Sequence, residues 1–443
     1  MYIPTSVSTA KIAAVSMTVI LVLSPAVIAG KVENPADAQP DHHASGEPST
    51  PKILTMQDAI QLALSSDDPY LLEPGETAAA FDDQAISDAQ LPDPQLRVNF
   101  ANWPLDSFSY TQEPMTQFQV GVSQAFPKGD TLEFNRQKRQ AQAKGERFKQ
   151  DLRRREIILD TRLTWLDLFY WENARGKVRD SRQAVAELIE VIQAIYATGR
   201  ETSQDILRAE LELSLLDDRL VEVDRQSTIA RAKLARRIGV IAAQREVTVT
   251  QPAMQHPSNI DILTDLLNHH PVAQLRATQV EIADRDVDIA GEQYKPGWAV
   301  NVGYGARGAD RADFASVGVV MDVPLFTKNR QDKRVTAAKK TRQASRLSKD
   351  AIILDLRRRL NASFADWQRL QERISLYRSV VLKRAKETTE ASLTSYQSGV
   401  TDFAELVRAR LAELDADLSL LRLTSDRLKA QAQLLFLEGE DDE

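Results

Sequence analysis

The nine residues Phe118–Phe126 read FQVGVSQAF, and the order of their side chains decides what kind of fold this is. Phe118, Val120, Val122 and Phe126 alternate with Gln119, Gly121 and Ser123, a period of two that gathers the greasy groups on one face of a β-strand. Just upstream, Leu96, Val98 and Phe100 alternate with Arg97 and Asn99. Short segments with one apolar and one small or polar face are expected where a sheet meets lipid on one side and a water-filled lumen on the other. A half-buried soluble sheet alternates in the same way, so the strands have to be read with the rest of the chain.

The pattern returns far downstream. Trp298, Val300, Val302 and Tyr304 alternate with Ala299, Asn301 and Gly303, and Val317, Val319, Met321 and Val323 alternate with Ser316, Gly318 and Asp322. Pro69 and Pro271 stand 202 residues apart, as do Pro94 and Pro296; Tyr196 and Tyr396, Gly199 and Gly399, and Gly239 and Gly439 stand 200 apart. A near-constant offset of this kind marks two copies of one unit.

Each copy reads helix, strand, strand, long helix, helix. The first copy occupies 55–255, with a helix expected over about Thr55 to Ala89 and strands at about 95–103 and 116–126. The second occupies 256–437, with a helix over about Ile260 to Glu292 and strands at about 297–306 and 314–323. No proline lies between Pro127 and Pro252 or after Pro324, which permits unbroken helices. About 70 residues of helical text lead to Tyr196 and again to Tyr396, so each rod would reach roughly 100 Å. Gly199 and Gly399 are where the rods can turn back, and Gly239 and Gly439 would end the return helices. On the second return helix Val407, Leu411, Leu414, Leu418, Leu421 and Leu428 form a seam that needs a partner helix.

At the N-terminus Lys11 precedes the apolar run IAAVSMTVILVL, and Val27 and Ala29 suit a cleavage site, so residues 1–29 read as an export signal. A polar linker expected to be disordered follows over 30–54, and residues 438–443 read as an acidic tail. The 443 residues contain no cysteine, which removes disulfides, thiolate chemistry and a cysteine-linked lipid anchor. With 56 Lys and Arg against 63 Asp and Glu, mixed along the polar segments, there is no basic face for nucleic acid. The chain has no HExxH, P-loop or GxSxG motif, so no enzyme is expected. His42, His43, His256, His269 and His270 lack a third ligand at helical spacing, so no metal site and no cofactor are expected; His269-His270 reads as a solvated loop.

Four strands cannot close around a lumen, yet a spanning sheet must have no open edge, because hydrocarbon cannot satisfy free N–H and C=O groups. Several chains must then share one barrel. Three copies would supply 12 strands, within the range of known barrels.

At this point the chain resembles the TolC-like outer-membrane efflux family, in its duplicated unit, in VPLFTKNR at Val323–Arg330, and in the turns YATGRETSQD at Tyr196–Asp205 and YQSGVTDFAE at Tyr396–Glu405. The resemblance implies a mainly α protein with a membrane β-barrel portion: a homotrimer whose 12-stranded barrel, in the outer membrane of a Gram-negative bacterium, continues into a long periplasmic α-helical barrel. It implies a passive conduit in contact with outer-membrane lipid, docked at its helical turns by a periplasmic adaptor and an inner-membrane resistance-nodulation-division pump. LPDPQLRV, EPMTQFQVGVSQAFPKG and VPLFTKNRQDKR resemble the branch that exports heavy-metal cations. Organic drugs or secreted polypeptide are the alternative cargo, and a poreless periplasmic coiled-coil scaffold is the alternative of another class.

Carried over residue by residue, Asp205 matches the family's gate acid, Tyr396 the tyrosine that can bond across to it, and Glu405 an acid facing the entrance. Thr401 departs from an arginine that helps lock the gate, and Arg408 replaces a second acid. Independently of the family, acids converging on a narrow aperture concentrate cations; each also favours the first turn of its own helix. Gly199 and Gly399 are expected as turn formers. Leu207, Arg208, Val407 and Arg408 are candidates for adaptor docking.

Overall fold

Proline placement shapes the first helices of each repeat. The single helix expected over Thr55–Ala89 is in fact two, α1 at Met56–Leu64 and α2 at Pro69–Ser87. Its counterpart is likewise divided in the second repeat, into α6 at Ile260–Leu266 and α7 at Pro271–Glu292. Proline lacks an N–H and has a fixed φ, so it opens a helix more readily than it continues one. In each case the preceding residue caps the new helix: Asp68 accepts from the Tyr70 N–H at 3.0 Å, and His270 Nδ1 from the Val272 N–H at 3.3 Å. These features come from a computed structural model that describes residues 53–196, 203–308 and 310–439. The export signal, Gly199, the linker up to residue 52 and the last four residues lie outside the described residues.

The strands β1 (Gln95–Ala101), β2 (Gln117–Phe126), β3 (Gly297–Arg307) and β4 (Phe314–Asp322) form one antiparallel sheet in the order β1-β2-β3-β4. The two repeats join at β2 and β3, where Val120 faces Tyr304 and Val122 faces Val302. Leu96, Val98, Phe100, Val122, Val302, Val317 and Val319 share the apolar face, and each is at least 47% exposed. At one end of that face Phe126 stacks on Trp298 at 4.1 Å; at the other Phe100 lies 5.0 Å from Phe118 and 5.2 Å from Trp103. Among the described residues the outer edges of β1 and β4 have no neighbouring strand.

The rods follow. The first, α3, runs unbroken over Thr131–Tyr196, 66 residues. The second consists of α8 (Gln331–Leu376), a π turn at Tyr377–Val381 and α9 (Leu382–Gln397). Return helices α4 (Ser203–Ile238) and α10 (Phe403–Glu438) stop just before Gly239 and Gly439, whose φ angles of +85° and +93° favour glycine. The short α5 (Val240–Ala243) completes the helices.

The partner of the α10 seam is the rod of the other repeat. Val407, Leu414 and Leu418 pack with Val178, Val185, Ile189 and Ile192 of α3. Further along, Leu428 joins Trp165 and Leu166, the Ser425 hydroxyl donates to the Leu166 carbonyl at 3.2 Å, and Lys429 pairs with Asp167 at 2.5 Å. On α8, Leu356 and Leu360 are buried, whereas Leu347, Leu354 and Leu376 are exposed.

Three expectations need correction. Leu54, assigned to the linker, is wholly buried and its N–H donates to Glu246 C=O at 2.7 Å, because it fills the core around Trp165. Glu438, assigned to the acidic tail, is the last residue of α10 and accepts from the Ser258 N–H at 3.3 Å. His270, assigned to a solvated loop, is 1% exposed, with its ring edge-on to Phe436 at 5.1 Å.

Burial first, and the Arg155 guanidinium second, push the His270 pKa down to about 4 from its ordinary 6.5. A depressed histidine means that the unfolded chain takes up the proton first. Stability is therefore complete above about pH 6.5 and falls as pH drops toward 4, by roughly 3 kcal/mol for this group. Denaturant midpoints measured across that window should show the fall, and His270→Asn, which can cap but cannot titrate, should flatten it. An equal slope in the variant would rule out His270 as its origin.

Candidate functional site

The far end of the second rod closes in a Schellman turn. Gly399, at φ +70°, donates to the Tyr396 carbonyl at 2.9 Å, and the Val400 N–H reaches Ser395 C=O at 2.9 Å. Two orphan carbonyls of the helix end are thereby satisfied, and only a residue tolerant of positive φ can do this without strain. Asp402 then opens α10, its carboxylate accepting from the Glu405 N–H at 2.9 Å. The chain reverses within five residues, Ser398–Asp402.

Around this turn the sequence-predicted residues separate into two groups. Tyr396 is half-buried, packed edge-on against Phe403 at 5.6 Å, and Phe403 is itself 1% exposed. Val407 is likewise inside, at 3%, as part of the seam with α3. By contrast Leu207 is 66% exposed on α4. Leu207 and Val407 hold matching sequence positions, yet one faces outward and the other inward.

Asp205 and Glu405 each occupy the first turn of a return helix, where a carboxylate complements the helix dipole. Glu405 also pairs with Arg408 at 2.5 Å on the exposed side, a contact that contributes little to stability. Arg208, Leu211 and Glu212 of α4 face Phe403, Val407 and Arg408 of α10 across a groove of about 310 Å³. The structure thus brings Arg208 and Arg408 to one groove. Phe403 was missed from sequence, although Asp402 followed by Glu405 before an apolar run is a legible helix start.

Among the described residues no group of three or more His, Asp or Glu side chains could hold a metal ion, and no helix is long and apolar enough to cross a membrane.

Rods near 100 Å long joined to a four-stranded sheet are a fold that this chain shares with several solved outer-membrane proteins. VceC from Vibrio cholerae shares 17% identity with this chain at a TM-score of 0.74, over 87% of this chain and 96% of VceC. CusC gives 14% and 0.72, over 86% of this chain and 91% of its own. The open-state MtrE outer membrane channel of Neisseria gonorrhoeae gives 15% and 0.69, over 87% and 88%. These likenesses are of fold. Residues 262–440 match the family model described as Outer membrane efflux protein. That match falls on the second repeat. No curated protein matches it by sequence.

Proposed function

We propose that this protein is the outer-membrane channel component of a tripartite efflux system, a passive conduit from periplasm to exterior. One observation carries the reading: a sheet with an exposed apolar face, a polar opposite face and two unpaired edges. Lipid would cover the first and water the second, and neighbouring copies would pair the edges. Three protomers in a shared 12-stranded barrel satisfy all of these at once. Exposed leucines along α8, and Leu207, Leu211 and Leu215 on α4, would be covered by adjoining helices of the trimer or by the periplasmic adaptor.

The helical tips form the entrance. Asp205, Tyr396 and Glu405 constitute the gate, with the Tyr396 ring held under Phe403. Gly199 and Gly399 shape the turns; Leu207, Arg208 and Arg408 present the docking surface, and Val407 supports it from inside. An inner-membrane pump of the resistance-nodulation-division type drives the flux, with heavy-metal cations as the cargo that the sequence motifs favour. That the described residues hold no metal-binding cluster does not bear on this, since a duct need not hold its cargo.

Reconstitution in planar bilayers tests the reading. The purified chain is expected to give discrete conductance steps and to run as a heat-sensitive trimer from outer-membrane fractions. A soluble, detergent-independent monomer would refute it. Asp205→Ala with Tyr396→Phe is expected to raise single-channel conductance several-fold, as expected when a charged constriction is loosened; unchanged conductance would remove these residues from the gate.

A further inference from the structure

The polar face of the sheet carries a charge that nothing above explains. Arg97 of β1 faces Gly121 of β2, Gly121 faces Gly303 of β3, and Gly303 faces Ser316 of β4. Two of its three neighbours in that row have no side chain, so the guanidinium stands clear of the row. Among the described residues it makes no hydrogen bond and no ion pair. A hollow of about 440 Å³ lies against this face, lined by Arg97, Asn99, Gln119, Ser123, Asn301 and Ser316 with no carboxylate among its lining residues.

The other charges on the face lie at its ends. Asp322 pairs in register with Gly297, six residues along β3 from Gly303, which is about 20 Å at the rise of a strand. That is more than two screening lengths of about 8 Å at physiological salt. Lys128 also lies beside Gly297, close to Asp322. At the opposite end Arg307 sits 4.0 Å over the Phe314 ring, and its backbone N–H donates to Asp313 at 2.8 Å, so a carboxylate accompanies that arginine. Only Arg97 is left uncompensated in the middle of the face.

We propose that Arg97 makes the barrel stretch of the duct favour anions, so that cargo crosses the outer membrane as an anionic or charge-neutralised species and not as a bare cation. This rests on the channel reading above. One copy per protomer sets a ring of guanidinium groups facing water between low-dielectric walls, an arrangement that draws in anions and repels cations. The acids at the helical tips have the opposite sign. A metal cation admitted there would reach the barrel accompanied by anions or within an anionic complex.

Reversal potentials of the full-length protein in planar bilayers under a potassium chloride gradient test this directly. Arg97→Gln is expected to lower the chloride-to-potassium permeability ratio roughly two- to threefold, the size expected for a screened ring of unit charges in water. Arg97→Glu should lower it further, and Arg97→Lys should keep the wild-type value. A conducting Arg97→Gln channel with an unmoved reversal potential would overturn the proposal while leaving the channel reading intact. A wild-type protein that never conducts would overturn both.

Discussion

Val319→Arg is expected to deplete the outer membrane of assembled protein. Val319 lies mid-strand in β4, opposite Val300, and is 61% exposed on the apolar face. In the proposed shared barrel, an arginine facing lipid near the bilayer midplane would cost about 2–4 kcal/mol once per protomer. The heat-sensitive oligomer in membrane fractions should drop by more than about tenfold, since a cost of that size in each chain shifts insertion by orders of magnitude. Asn301→Arg supplies the control: it sits on the polar face, paired with Ser123 and Gly318, and should assemble normally. Equal assembly of both variants would mean that the apolar face does not meet lipid.

Trp165→Ala carries the other large effect, and it acts on folding instead of insertion. Trp165 is fully buried in α3, stacked on Phe169 at 5.6 Å, with its indole N–H directed at the Leu54 carbonyl at 3.3 Å. Its core also takes in Ala59 of α1, Leu234 of α4, Val247 and Leu428 of α10. One side chain therefore ties the segment at Leu54 to both return helices. Truncation should cost about 3–5 kcal/mol through lost transfer energy and the residual cavity, read as a lowered denaturant midpoint. Trp165→Phe, which keeps much of the volume and drops the hydrogen bond, should cost less. A Trp165→Ala midpoint equal to wild type would show that this core is not limiting for stability.

Much of the fold was legible because it depends on local rules. Period-two alternation marked the four strands, and the offset of prolines and glycines marked the duplication. The long stretches free of proline marked the rods. At Pro69 and Pro271 the apolar period alone runs through the proline, whereas a proline after a capping residue begins a new helix. His270 looked like one half of an exposed pair, but Pro271 requires a cap before it, and the cap is buried where α7 meets Phe436 of α10.

The site was less legible, because its two halves match in sequence but not in surroundings. Tyr196 is 46% exposed, while Tyr396 lies against Phe403; the residue corresponding to Phe403 in the first repeat is Ser203, which has no ring to offer. Leu207 faces outward because α4 packs chiefly on one rod. Val407 faces inward because α10 lies between α3 and the second rod. Arg97 was visible as a polar residue in an alternating strand, but its isolation was not, since that depends on the glycines brought beside it by sheet register.

The sequence by itself determined which segments are strand and which are helix, where the second rod reverses and that the unit is doubled. All of these follow from backbone sterics and side-chain periodicity within a few residues. Only the tertiary structure decided that the α10 seam is filled by the other repeat's rod, that Val407 and Leu207 part company, and that Arg97 stands clear of other charges in the middle of the polar face. Those outcomes depend on which surfaces meet across about two hundred residues of chain, and burial is a property of the meeting surfaces, not of either segment alone.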